Sequence, residues 1–241
     1  ENLIFGINSI EEALTAKKEF EKILIQKGLN KQKFESILNE ARKANIPVSE
    51  VPIQKLNQFT RKAHQGIVAF TALISYRSLD ALIDESFESG ADPFFILLDN
   101  ITDIRNFGAI ARSSEVLGVN GIIVPAKGGA MINGDAIKTS AGALNHVPVC
   151  REFNLDKTVD YLKNRGLRVI SSTEKSDKPI NQVDLRGPLC IVLGAEDVGI
   201  SDKILRKSDE LCRIPQKGKV ESLNVSVAAG ICLYEAQRQR T

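Results

Sequence analysis

Three short segments place polar side chains at joints where backbone N–H groups also fall free. Ser222-Leu223-Asn224 stands between a Gly-containing loop and a long helix that runs on to Arg240. The first N–H groups of a helix have no partner within it, so a hydroxyl and an amide placed there can build a hydrogen-bonding site. Asn106 and Arg112, six residues apart, fall at and inside the start of another helix, whose face is Phe107, Ile110, Ala111, Ser114 and Leu117. Gly194-Ala195-Glu196 ends an apolar strand over 189–194, and Gly199 and Ser201 follow, so that loop is tight and then caps a helix. Each segment also has a plainer reading. Asn106 and Ser222 serve as helix N-caps, Arg112 as a solvated cation near Glu115, and Glu196 as an exposed carboxylate in a strand-to-loop turn. Gly108 permits close approach of the backbone to a ligand. No G-x-G-x-x-G occurs, which weighs against a nicotinamide cofactor.

The elements that must position these residues follow an α/β pattern. In the first third, 21–26 is strand-like. Residues 32–44 carry Phe34, Ile37, Leu38 and Ala41 at helical spacing, with Pro47 just beyond. Residues 48–53 return to strand character, and Pro52 marks an edge strand or a very short one. Residues 66–70 form the last strand of a unit of about seventy residues. Residues 78–90, with Leu79, Leu82, Ile83 and Phe87, read as a linker helix (76–91) into a second domain over 92–241. There the expected order is strand 94–99, helix 107–117, strand 120–125, helix 155–165, strands 167–172 and 189–194, helix 201–206, strand 211–215 and helix 223–238. Near-continuous apolar strands between helices predict a parallel sheet covered on both faces, with a ligand at the carboxyl ends of its strands.

Composition sets bounds. The chain has 241 residues, 43% of them hydrophobic, enough for a small domain and a medium one. Net charge is only +2, so any nucleic-acid contact must come from local patches. Cys150, Cys190, Cys212 and Cys232 are scattered among apolar neighbours with no CxxC pair, and His64 and His146 lack metal-site spacing. Buried thiols in a reducing compartment and no metal are expected. No apolar run approaches a membrane span and the first residues do not read as a signal peptide, which points to the cytoplasm.

Three segments carry a resemblance. They are Asp103-Ile104-Arg105-Asn106-Phe107-Gly108-Ala109-Ile110-Ala111-Arg112 after the run 94–98, then Ile191-Val192-Leu193-Gly194-Ala195-Glu196-Asp197-Val198-Gly199-Ile200-Ser201, and the stretch 214–240. In this order they resemble motifs 1, 2 and 3 of the SpoU/TrmH family of RNA ribose 2′-O-methyltransferases. The first third resembles the small domain, ribosomal-protein-L30e-like in fold, of the branch that methylates guanosine in large-subunit rRNA.

The resemblance implies a parallel-sheet α/β domain tied in a deep trefoil knot, S-adenosylmethionine as cofactor, rRNA as partner and a homodimer built on the 107–117 and 223–238 helices. It implies Asn106, Arg112, Glu196, Ser222 and Asn224 as catalytic residues. Arg112 would lie on the RNA, and Glu196 would brace Asn106 or Arg112. Gly194, Ile214, Leu223, Asn224 and Thr173 would bind the cofactor, with a plain turn role for Thr173 as the alternative. Arg61-Lys62-Ala63-His64-Gln65-Gly66 resembles a turn of the small domain, which implies RNA contact by Arg61, Lys62 and His64 or a hairpin-closing role. Segment 138–143 is assigned to packing and turns. Many members carry Asp-Pro-His-Asn where this chain has Asp103-Ile104-Arg105-Asn106, so Ile104 lacks a fixed φ and Arg105 adds a charge on the RNA side. The alternatives are a tRNA ribose 2′-O-methyltransferase and a non-catalytic RNA-binding or ribosome-assembly factor.

Overall fold

A computed structural model describes residues 2–219 and 222–241. The chain divides between Ser75 and Tyr76 into two units.

The first unit runs β1 (Leu3–Phe5), α1 (Ile7–Thr15), β2 (Phe20–Gln26), α2 (Glu35–Lys43), β3 (Val48–Val51), α3 (Ile53–Phe59) and β4 (Ile67–Thr71). The sheet order is β1-β4-β2-β3, antiparallel except for the parallel β2/β3 pair. Period-two alternation along β2 sorts its side chains. Ile23 and Ile25 meet Ile10, Phe34, Ile37 and Ala41 of the α1/α2 layer, while Leu24 faces Leu56 of α3 and Val68. The helix expected over 32–44 starts as a 3₁₀ turn, Lys31–Phe34, capped by the Asn30 side chain, before α2 begins. Strand β3 is an edge strand of four residues, and Pro52 ends it by becoming the N-cap of α3. Proline offers no N–H to a ladder, and its fixed φ suits a helix start.

The second unit runs α4 (Leu79–Glu88), β5 (Phe94–Asp99), α5 (Ile104–Val116), β6 (Gly121–Pro125), α6 (Gly134–Thr139), β7 (Val149–Glu152), α7 (Leu155–Asn164), β8 (Arg168–Ser172), β9 (Leu189–Gly194), α8 (Asp202–Lys207), β10 (Glu210–Cys212) and α9 (Val225–Arg240). Its sheet has the order β10-β8-β9-β5-β6-β7, with every pair parallel. All six residues of β5 are buried, as a strand covered on both faces requires.

Three readings need correction. Helix α4 is not a linker: Leu79, Leu82 and Ile83 are buried in one cluster with Phe95, Ile123 and Val192 of the second unit. Helix α5 starts at Ile104 rather than 107, because Asp103 and not Asn106 caps it. Elements α6 and β7 were not expected, each being too short to show a period. Along α9, Val225, Ala229, Cys232 and Ala236 are buried, and the helix packs on α5 and β9.

Candidate active site

Helix α9 begins where all three motifs meet. Its first N–H groups need acceptors from outside the helix. Glu196, from the loop after β9, supplies one: its Oε1 accepts from the Val225 N–H at 2.8 Å. Asn224 is the N-cap, and its Oδ1 accepts from the Ser226 N–H at 3.0 Å and from the Ser226 hydroxyl at 2.5 Å. With Oδ1 so used, Nδ2 of Asn224 donates to Oδ1 of Asn106 at 3.0 Å. Asn106 therefore keeps both amide hydrogens free of partners among the described residues. Its own N–H is held by Asp103 Oδ1 at 2.8 Å.

These hydrogen bonds revise two expected roles. Ser222 is exposed and does not cap α9. Glu196 braces neither Asn106 nor Arg112. It holds the start of α9, and Asn224 passes that position on to Asn106. A carboxylate at the positive end of a helix is favourably placed in any case.

Beside this junction, at the carboxyl ends of β8 and β9, lies a cleft of about 380 Å³. Ser172, Thr173 and Glu174 form one side and Leu193 to Glu196 another. Arg213 to Gln216, Ser222, Leu223, Val225 and Ala228 complete it. Of the residues expected to hold a cofactor, Thr173, Gly194, Ile214 and Leu223 line it, whereas Asn224 stands at its edge in the junction. Glu174, Arg213 and Gln216 were not expected. They follow β8 and β10 directly, so the rule that ligands sit at strand carboxyl ends was the available signal. Thr173 also serves its turn, its hydroxyl accepting from the Lys175 N–H at 3.3 Å.

Packing alone already requires two of the glycines. A Cβ on Gly194 would stand 2.2 Å from the Gly199 carbonyl carbon, where the 194–200 loop folds back. One on Gly108 would stand 2.8 Å from Thr139 Cβ and 2.9 Å from the Ala136 oxygen of α6. Segment 138–143 packs and turns as expected, with Gly142 in the left-handed region at φ 89°.

Arg112 is exposed on α5 and forms no hydrogen bond or ion pair among the described residues. It is outside the cleft, as is the exposed Arg105. All four cysteines are free and buried, and burial pushes Cys150 up to about 12 and Cys232 up to about 11. Among the described residues no three His, Cys, Asp or Glu side chains gather as a metal site, and no helix is long and apolar enough to cross a membrane.

In the first unit the structure separates the expected RNA residues. Arg61 and Lys62 are exposed, but His64 is buried. Its Nδ1 accepts from the Gly66 N–H at 3.0 Å, so Nε2 carries the proton and donates to Asn57 Oδ1 at 2.9 Å. His64 is thus engaged in closing its own turn. A cationic and aromatic face appears instead. Lys22 lies over Phe70 (5.2 Å), Lys55 over Phe59 (5.6 Å) and Lys62 over Phe5 (5.9 Å), and Phe59 and Phe70 meet edge to face. Burial lowers the Lys22 pKa, and Lys55 acts in the same direction. Only Lys55 and Phe59, four apart on α3, could have been paired from sequence.

The profile of the SpoU rRNA methylase family matches residues 93–234, and that of the RNA 2′-O ribose methyltransferase substrate-binding domain matches residues 3–77. A Bacillus subtilis chain, YacO, assigned to the TrmH family of tRNA/rRNA methyltransferases, is 34% identical over 98% of this chain and 95% of its own length.

The chain belongs to the SpoU family of RNA 2′-O-ribose methyltransferases.

Two solved SpoU structures are similar to it. AviRb from Streptomyces viridochromogenes, solved in complex with S-adenosylmethionine, has a TM-score of 0.62 at 24% identity, covering 98% of this chain and 89% of its own. The TrmH/SpoU tRNA modifying enzyme of A. aeolicus has a TM-score of 0.57 at 29% identity, covering 66% of this chain and 84% of its own. The methyl donor of SpoU enzymes is S-adenosylmethionine. The cleft fits such a group. Its volume lies in the range of small-molecule sites, Leu193, Ile214 and Leu223 offer an apolar wall for a base, and the Glu174 and Glu196 carboxylates suit a cationic sulfonium.

Proposed function

We propose that this SpoU enzyme methylates the ribose 2′-hydroxyl of a guanosine in large-subunit rRNA, in the cytoplasm and as a homodimer. The observation that carries the rRNA reading is the first unit. It matches a substrate-binding profile, it bears the lysine and phenylalanine face, and the A. aeolicus tRNA enzyme covers only 66% of this chain. In this reading the first unit is the L30e-like domain that grips RNA structure, with Arg61 and Lys62 beside Lys22 and Lys55. The C-terminal segment threads a loop to form the trefoil knot of this reading, and the cleft beside the start of α9 holds the cofactor.

Bound there, S-adenosylmethionine supplies an electrophilic methyl group with a neutral leaving sulfide. Thr173, Ile214 and Leu223 hold it, and the Gly194 backbone fixes the loop against it. In-line transfer needs the ribose oxygen and the methyl carbon in fixed alignment, so positioning is much of the catalysis. Asn106 donates its free amide hydrogens to the ribose or its phosphate, aligned by Asn224 and, through α9, by Glu196. Ser222 adds a hydroxyl at the mouth. Arg112 stabilises the developing alkoxide and holds the phosphate, with Arg105 further along the RNA. A guanidinium stays protonated, so the ribose proton leaves to water or to an RNA phosphate.

The dimer reading rests on the outer face of α9. Val227, Ile231 and Tyr234 stand at helical spacing and are 51%, 37% and 61% exposed. Arg112 is outside the cleft of its own chain, so pairing of two copies through α5 and α9 would bring the partner's arginine to the site.

A tRNA substrate is the second reading, favoured by the 29% identity to the A. aeolicus enzyme. Ribose-methylation mapping of rRNA and tRNA, with and without the chain, tests both. Loss of one guanosine 2′-O-methyl in large-subunit rRNA is the expected result. Loss in tRNA moves the assignment to the second reading, and no change in either leaves a non-catalytic RNA-binding or assembly factor.

A further inference from the structure

A second cleft, of about 270 Å³, opens at the carboxyl ends of β5, β6 and β7. Two lysines and two carboxylates line it. Both carboxylates are already engaged within the fold. Asp99 is buried, and its Oδ2 accepts from the Ser201 N–H at 2.7 Å, while Asp156 pairs with Lys207 at 3.0 Å. Lys127 and Lys203 are exposed and form no hydrogen bond or ion pair among the described residues. Lys203 is near enough to Asp156 to help lower its pKa, yet both lysines keep their ammonium hydrogens for an incoming acceptor. Phe153, between β7 and α7, lines the same cleft and is 57% exposed, so its ring is open to a stacking partner. Next to Lys127, Gly128 has φ 81°, and a Cβ there would meet nothing within 4 Å, so the backbone is bare on that side.

This cleft shares a wall with the cofactor cleft. The 194–201 loop contributes Gly194 to Glu196 to one and Ser201 to the other. The loop is tied to the end of β5, with the Ala195 N–H donating to the Asp99 oxygen at 3.2 Å and Asn100 Nδ2 to the Gly199 oxygen at 3.5 Å. Asp99 and Asn100 in turn lead into the segment that carries Asn106.

We propose that this cleft is a second RNA subsite, which takes one nucleotide beside the methylated one, with its base stacked on Phe153 and its phosphates paired with Lys127 and Lys203. A free aromatic face with two free cations matches the chemistry of an unpaired nucleotide, because stacking tolerates any base while lysines follow the backbone. The subsite rests on the RNA reading above.

The test uses the full-length chain, an in vitro transcript of large-subunit rRNA, and three variants: Phe153→Ala, Phe153→Trp and Lys127→Ala/Lys203→Ala. Phe153→Ala should raise KM for RNA about 10-fold, the loss typical of one stacked base. Its kcat and its S-adenosylmethionine affinity should stay at the wild-type level, and Phe153→Trp should bind RNA like wild type. The lysine pair should lower the slope of log affinity against log salt by about 1.4, for two single-strand phosphates. Wild-type RNA affinity and salt slope in Phe153→Ala and the lysine pair overturn the subsite. So does joint loss of cofactor and RNA binding in all three variants, which marks a structural role. If the wild-type chain methylates no RNA, the proposed function fails instead, and the binding comparison still decides the subsite.

Discussion

At the scale of single residues, the site depends on side chains that hold one another. Glu196 and Asn224 satisfy two N–H groups that α9 could not satisfy itself, and Asn224 then fixes Asn106 across 118 positions of chain. Glu196→Ala should lower stability by about 1 kcal/mol, the usual effect of losing a cap. Glu196→Gln keeps an acceptor at Oε1 and should lose less. Denaturant unfolding of the two variants checks the order, and equal losses would show that charge, not the acceptor, matters. Arg112→Ala should reduce methyl transfer by about 10²–10³-fold, as for other lost oxyanion donors, with cofactor affinity near the wild-type level by calorimetry. Collapse of cofactor binding with RNA binding intact would reject that role. The residue types of the site were legible in sequence, but their partners were not. Asp103 and Asn106 both suit an N-cap, and only the start of α5 decides between them. The Asn106–Asn224 pair joins two helices that no local pattern connects.

At the scale of elements, α9 shows what periodicity reveals and what it leaves open. Its apolar residues were evident, but a helix with one apolar stripe inward and a second outward has no clear polar face to orient it. Val225, Ala229, Cys232 and Ala236 pack on α5 and β9, leaving Val227, Ile231 and Tyr234 outside. Ile231→Asp/Tyr234→Asp should therefore give a folded monomer with little methyltransferase activity, read by sedimentation, circular dichroism and methyl incorporation. A dimer that persists in this variant places the interface elsewhere. Long apolar strands such as β5 and β9 were located from sequence to the residue. Helix α6 and strand β7, with six and four residues, were not, because a period cannot be read over so few positions.

At the scale of the whole molecule, the unit boundary falls before Tyr76, which bridges to Val149, so the strip before α4 belongs to the second unit. A chain starting at Tyr76 should fold and bind S-adenosylmethionine but methylate RNA poorly. Its salt slope should fall by about 0.7–0.9 for each phosphate that the first unit neutralises in the full-length chain. Equal methylation rates for long and short chains would leave the first unit a stabilising role only. The order of strands carries a further consequence, for synthesis. Strand β5 pairs with β6, which follows it closely, and on its other side with β9, which ends at Gly194, far along the chain from Asp99. At about 5–20 residues per second, the ribosome needs about 5–20 s to make what lies between. For that interval a strand apolar from Phe94 to Leu98 waits with one edge unpaired, and unpaired apolar edges are where chains aggregate. Nascent chains stalled between β7 and β9 should then be the ones that chaperones hold longest.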